Sequence, residues 1–228
     1  GVVEYLERGA RPAFLYVITD AHNPLGVSIS AEKRTQLVEA AAAYGLPIIE
    51  DDPYGFLSYD ERCLPPLRAG NDSHIFYVGS FSKILAPALR LGWMVVPEAL
   101  IPKLTVIKEA GDLESSALTQ RAVSAYLDAG HLPAHLARLR HEYQARRDAM
   151  LAAMVREFPA SIRWTRPRAG MFIWVELAEG TDAGALLETA VERQRVAFVP
   201  GHAFALPGIP CRNFMRLNCG NPWNDTIE

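Results

Sequence analysis

Lys83 follows a strand-like apolar run, Ile75-Phe76-Tyr77-Val78-Gly79, within the stretch Ser80-Phe81-Ser82-Lys83, and Arg90 stands seven residues further on. The chain has four lysines; Lys33, Lys103 and Lys108 fall in stretches with helical, solvent-facing patterning. A lysine at a strand end is either a solubility charge or an amine placed for chemistry. Held in an apolar or cation-rich site, such an amine is a nucleophile toward carbonyl compounds and forms Schiff bases. Two hydroxyls, Ser80 and Ser82, and the Arg90 guanidinium suit a phosphate. A carbonyl cofactor that carries a phosphate satisfies both demands, and pyridoxal phosphate is the candidate. On this stretch alone, a strand end with polar decoration is the default alternative.

Two other strand ends change the balance. Phe14-Leu15-Tyr16-Val17-Ile18 reads as a buried strand, followed by the turn residues Asn23-Pro24-Leu25-Gly26. Pro47-Ile48-Ile49-Glu50 reads as a short strand that runs into Asp51-Asp52-Pro53-Tyr54. Open α/β sheets bind ligands at the carboxyl ends of their strands. Asn23, the Asp51–Tyr54 pair and the Ser80–Lys83 group are therefore candidates for one edge. Singly, each has a plain reading: an Asn before Pro forms a turn, a Tyr after a strand packs, and a Ser caps a helix. Arg216 lies in an otherwise apolar strand, Phe214-Met215-Arg216-Leu217. An arginine there costs desolvation unless it is paired, so it reads as a ligand-binding group.

The elements that must position these residues follow from the pattern. Ser30 caps a helix running to about Tyr44, stopped by Gly45. Strands alternate with helical or loop connections up to about residue 96, which predicts an α/β layer with a mostly parallel sheet. Residues 98–110 and 117–129 read as helices, and 133–157 as a long amphipathic helix. Strands near 161–165, 171–177, 196–199 and 214–219, with a helix near 183–194, predict a smaller α+β domain. The division expected is 1–130 and 131–228.

Composition narrows the partners. The chain has 228 residues, half of them apolar and 21% charged, with a net charge of -3. Nothing in this calls for nucleic acid or a membrane surface. Three cysteines without metal-ligand spacing read as reduced thiols in a cytoplasmic protein. His22 has no second ligand at metal-binding spacing. The chain begins without Met and stops just after a helix-capping Asn224-Asp225-Thr226, so both ends read as cut.

In order, Asn-Pro-x-Gly at 23–26, Asp-x-x-Tyr at 51–54, Ser-x-Ser-Lys at 80–83 with Arg90, and Met-Arg-Leu-Asn at 215–218 resemble the class I/II aminotransferases. These are fold-type I pyridoxal-phosphate enzymes. The wording Glu-Asp-Asp-Pro-Tyr and Gly-Ser-Phe-Ser-Lys is most similar to the 2-aminoadipate and kynurenine aminotransferase branch. The resemblance implies the lysine-bearing part of a large cofactor-binding domain followed by a smaller domain. It implies that Lys83 holds the cofactor as a Schiff base and then moves the proton. Asp51 would pair with the pyridine nitrogen, and Tyr54 and Asn23 with the ring's phenolic oxygen. Ser80, Ser82 and Arg90 would hold the phosphate, and Arg216 the substrate carboxylate. Amino-acid and 2-oxo-acid substrates, 2-oxoglutarate among them, and a homodimer are implied too. The resemblance also implies a region ahead of Asn23, with a glycine-rich helix start and a ring-stacking aromatic, that this chain does not match. Two alternatives share the pattern: the effector domain of a DNA-binding regulator, and a related lyase.

Overall fold

The computed structural model describes residues 2–60, 63–70 and 73–222. The chain divides into two compact units. The first comprises Gly1–Thr19, Ile29–Leu57 and Arg62–Arg138, and the second Asp20–Ser28, Ser58–Glu61 and Leu139–Glu228.

The first unit runs α1 (Val2–Glu7), β1 (Leu15–Val17), α2 (Ala31–Tyr44), β2 (Ile48–Asp52), β3 (Ile75–Ser80), α3 (Phe81–Ile84), β4 (Gly92–Val95), α4 (Ile101–Asp112) and α5 (Ala117–Asp128). It also holds the first turns of α6 (Leu132–Glu157). The sheet order is β1-β2-β3-β4, parallel except for the antiparallel β3–β4 pair. Helix α2 has the predicted bounds: the Ser30 hydroxyl accepts from the Lys33 N–H, and Gly45 closes the helix in the left-handed region at φ +58°. Its Leu37, Val38 and Ala41 pack on Leu15, Val17, Ile48 and Ile75. The first strand differs from its expected burial. It is three residues long, and Tyr16 is 53% exposed. The reason is its place at the end of the sheet order, where only β2 flanks it among the described residues.

Beneath the sheet, Glu50 is fully buried and accepts three hydrogen bonds: from the Thr19 hydroxyl (3.1 Å), the Leu67 N–H (2.8 Å) and the Arg68 N–H (3.2 Å). Burial pushes its carboxyl upward, the three donors oppose that, and the Asp52 charge adds to it. Buried Arg34 donates to the carbonyls of Ile29, Pro65 and Thr19. These bonds tie the loop before β3 to the ends of β1 and β2 with side chains rather than with a ladder.

In the second unit β5 (Arg163–Trp164), β6 (Phe172–Glu176), α7 (Ala183–Gln194), β7 (Val199–Pro200) and β8 (Phe214–Asn218) follow α6. The sheet order is β5-β6-β8-β7, antiparallel throughout. One face buries Ile173, Val175 and Met215 against Leu151 and Met154 of α6 and Ala183 of α7. Asp182 caps α7 by accepting from the Gly184 N–H at 2.8 Å. No helix among the described residues is long and apolar enough to cross a membrane.

Candidate functional site

Strand alternation decides which carboxylate of the Asp51-Asp52 pair faces where. In β2, Ile48, Glu50 and Asp52 are buried on the α2 side, so Ile49 and Asp51 lie on the opposite face. The register pairs Tyr16 with Ile49 and Asp51 with Val78, and Ser80 stands two residues beyond Val78. Tyr16, Asp51 and Ser80 therefore share the face away from α2. Asp52 is engaged on its own side, accepting from the Tyr77 hydroxyl at 2.8 Å and the Gly55 N–H at 2.7 Å. Gly55 belongs there because a Cβ would sit 2.5 Å from the Asp52 Oδ1.

On the opposite face, the Tyr16 hydroxyl donates to the Asp51 Oδ2. The phenol is pushed well above its ordinary value, first by partial burial, then by the bond to Asp51, then by the charges of Asp51 and Tyr54. With the residue more than half exposed, the bond to Asp51 is the cause that the geometry secures. Tyr54, three residues past Asp51, is buried, and its carbonyl accepts from the Leu57 N–H at 2.8 Å. Sequence reasoning missed Tyr16, because an aromatic residue in a strand reads as packing. The signal was the two-residue period, which places it diagonally across from Asp51.

The lysine lies one step further along. Strand β3 passes directly into α3 at Ser80, whose hydroxyl accepts from the Ser82 N–H at 3.1 Å. Lys83 sits in the short helix, half-buried, and its amine has no ion-pair partner among the described residues. Trp93 pairs with Gly79 across β3–β4, and a Cβ at Gly79 would lie 2.2 Å from the indole. The indole in turn meets Phe81 at 4.8 Å and Phe56 at 6.5 Å between ring centroids. Arg90 is exposed and left-handed at φ +50°, a conformation that costs a side-chain-bearing residue about 1 kcal/mol. The Phe81 N–H donates to the Leu91 carbonyl at 3.0 Å, which folds the Arg90 segment back beside the start of α3.

The other candidates belong to the second unit. Arg216 occupies β8 between Trp174 of β6 and Val199 of β7. Its guanidinium lies 4.3 Å from the Phe172 ring centroid and 5.1 Å from that of Phe204, and Nη1 donates to the Asn23 Oδ1 at 2.7 Å. Cation–π contact and a side-chain acceptor thus offset the desolvation of an arginine in an apolar strand. Trp174 extends the aromatic surface, stacking on Phe214 at 5.5 Å and meeting Phe204 edge-on at 5.9 Å. Phe172, in the strand expected near 171–177, and Phe204, outside every expected element, each supply a ring to Arg216.

The Asn23 turn is fitted to the same sheet. Gly26, at φ +65°, has its Cβ position 2.3 Å from the Phe172 carbonyl oxygen, so only glycine permits the approach. A Cβ at Gly170 would likewise lie 2.6 Å from that of Ala21. Beside Asn23, His22 is held below its ordinary pKa by burial. The structure thus groups Tyr16, Asp51, Tyr54, Ser80, Ser82, Lys83 and Arg90 in the first unit, and Asn23 with Arg216 in the second.

The sequence model for aminotransferase class I and II matches residues 4–227, and the chain belongs to that family. It is 39% identical to the 2-aminoadipate transaminase of Thermus thermophilus over 90% of this chain and 52% of that protein. It superimposes on a crystal structure of Pyrococcus horikoshii kynurenine aminotransferase, in complex with PMP, with a TM-score of 0.89 at 38% identity. That match covers 98% of this chain and 55% of the other, so the fold is that of part of a fold-type I enzyme. The HTH-type transcriptional regulator YdfD of Bacillus subtilis is 34% identical over 83% of this chain and 40% of its own length. The chain spans about half the length of the aminotransferases it matches.

Proposed function

We propose that the full-length protein is a pyridoxal-phosphate-dependent aminotransferase that moves an amino group from an amino acid to a 2-oxo acid, with 2-oxoglutarate as acceptor. The observation that carries the reading is the set on one face of the first sheet: Asp51 at the end of β2 and Ser80, leading to Lys83, at the end of β3. The residues fit the cofactor. Ser80 accepts from the Ser82 N–H and so keeps its own hydroxyl proton to give to a phosphate oxygen. Among the described residues Arg90 makes one long contact, 3.5 Å to the Pro87 carbonyl, and retains donors for a dianion. Asp52 is engaged by Tyr77 and Gly55, which leaves Asp51 as the carboxylate for the pyridine nitrogen.

When bound, the cofactor supplies an electron sink for the carbanion at the substrate Cα. Lys83 anchors it through Nζ and, once displaced by substrate, carries the proton taken from Cα. Asp51 would keep the ring nitrogen protonated and Tyr54 would hydrogen-bond the phenolic oxygen, a role that the family resemblance also gives Asn23. Arg216 receives the substrate carboxylate in a bidentate fork, oriented beforehand by Phe172, Phe204 and Asn23. A homodimer in the cytoplasm, with the lysine-bearing part at 1–130 and a smaller domain at 131–228, completes the proposal.

The full-length protein should take up pyridoxal phosphate with a visible absorbance band. Lys83→Ala should abolish the covalent band and lower kcat by about 10⁴-fold. A band that survives the substitution would sink the proposal. The similarity to YdfD favours a second reading, an effector-sensing body attached to a DNA-binding domain. Cofactor loading without turnover of any amino donor and 2-oxo acid would select it. Turnover of a donor without an acceptor would instead select a lyase.

A further inference from the structure

We infer that Tyr16 is a positioning residue for the cofactor: its hydroxyl fixes the Asp51 carboxylate so that one oxygen faces the pyridine nitrogen. The inference rests on the reading of Lys83 and Asp51 given above. The backbone supplies the alignment. Parallel pairing sets Tyr16 opposite Ile49, so Asp51, two residues on, lies diagonally ahead on the same face. That diagonal of about 7 Å suits a tyrosine, whose hydroxyl stands at the far end of a rigid ring. The hydroxyl donates to Oδ2, and Oδ1 remains for a second donor. A carboxylate held by one oxygen loses its rotational freedom about χ2 and presents the other oxygen in a fixed direction, as a histidine ligand is oriented by the partner of its second nitrogen.

The Tyr16 phenol is protonated throughout any working pH, because burial and the neighbouring Asp51 and Tyr54 all push its ionisation upward. It is thus a constant donor and never a competing anion. The bland alternative is a cross-strand pair that adds only stability, and the other face of β2 provides its example. There Tyr77 donates to Asp52 at 2.8 Å, and both residues are buried. Tyr16 differs in being half-exposed, on the face that carries Ser80 and leads to Lys83.

Tyr16→Phe in the full-length protein tests the assignment, with Tyr77→Phe as the control. A ring nitrogen that is held less firmly in its protonated form favours retention of protons elsewhere on the cofactor. Tyr16→Phe should therefore raise the pH midpoint of the visible band by about one unit. It should also weaken pyridoxal-phosphate binding about tenfold. Tyr77→Phe should lower the denaturation midpoint and leave both readouts unchanged. If the wild type loads and Tyr16→Phe has the wild-type midpoint and affinity, the positioning role is overturned while the proposed function stands. If the wild type fails to load, the proposed function falls first. Should Tyr16→Phe not fold, a fluorotyrosine at position 16 keeps the shape and strengthens the donor. It must then move the midpoint downward; an unmoved midpoint overturns the role.

Discussion

The two units hold their charged groups by opposite means. In the first, Lys83, Asp51 and Ser80 are delivered by strand ends, and the order beneath them comes from buried polar bonds to Glu50, Asp52 and Arg34. In the second, Arg216 sits inside a strand, and its order comes from Phe172, Phe204 and Asn23 packed directly around it. In the proposed roles, an amine that changes partners gains from support at a distance, which leaves its own reach free, and a guanidinium that receives a carboxylate gains from being clamped.

That contrast can be broken from either side. The largest effect should come from Glu50→Ala, which strands the Leu67 and Arg68 N–H groups in a buried site and should cost about 3 kcal/mol by urea denaturation. Glu50→Gln keeps one acceptor and removes the buried charge, so it should cost clearly less. Equal losses from the two would show that the support beneath the lysine is packing and not hydrogen bonding. Next in size is Arg216→Lys, which retains the charge but loses the fork and the flat contact with the two rings. It should lower kcat/KM about thirtyfold, through KM for both substrates, with the absorbance of bound cofactor unchanged. A change in that absorbance would mean that the arginine acts on the cofactor.

The smallest effect concerns pH. Burial lowers the His22 pKa from 6.5, so the folded state prefers the neutral ring. The stability this brings is complete above 6.5 and is lost as pH falls through the lower folded value. Between pH 7.5 and 5.5 the loss should be about 0.5 kcal/mol or less after solvent screening. His22→Gln should flatten it, and an unchanged slope in that variant would place the sensitive group elsewhere.

Much of the first unit was legible because its signals are local. Ser30 and Gly45 mark both ends of α2, and the runs at 48–52 and 75–80 needed only their apolar content. The polar residues at those strand ends could be named for the same reason. What escaped were choices that depend on distant partners. Tyr16 reads as a buried strand residue, since nothing in five residues tells an inner strand from an edge strand or reveals a carboxylate 35 positions away. Phe172 and Phe204 read as core and loop, because a ring's second face is assigned only when an arginine from another strand lies on it. The segments 20–28 and 58–61 interrupt the first unit in sequence yet group with the second, which no composition shift marks.

The fit of the Gly26 turn against the Phe172 backbone has a consequence for biosynthesis. The turn belongs to a sheet whose strands are translated far later: Asn23 and its partner Arg216 are 193 positions apart. At usual elongation rates the ribosome takes roughly 10 to 40 s to cover that distance. Throughout that interval β1 and α2 have a hydrophobic reason to assemble, while the turn between them has no surface to settle on. The emerging chain therefore carries this loop undocked until β8 is made. Arg216 and the asparagine that steadies it are completed in a single late event.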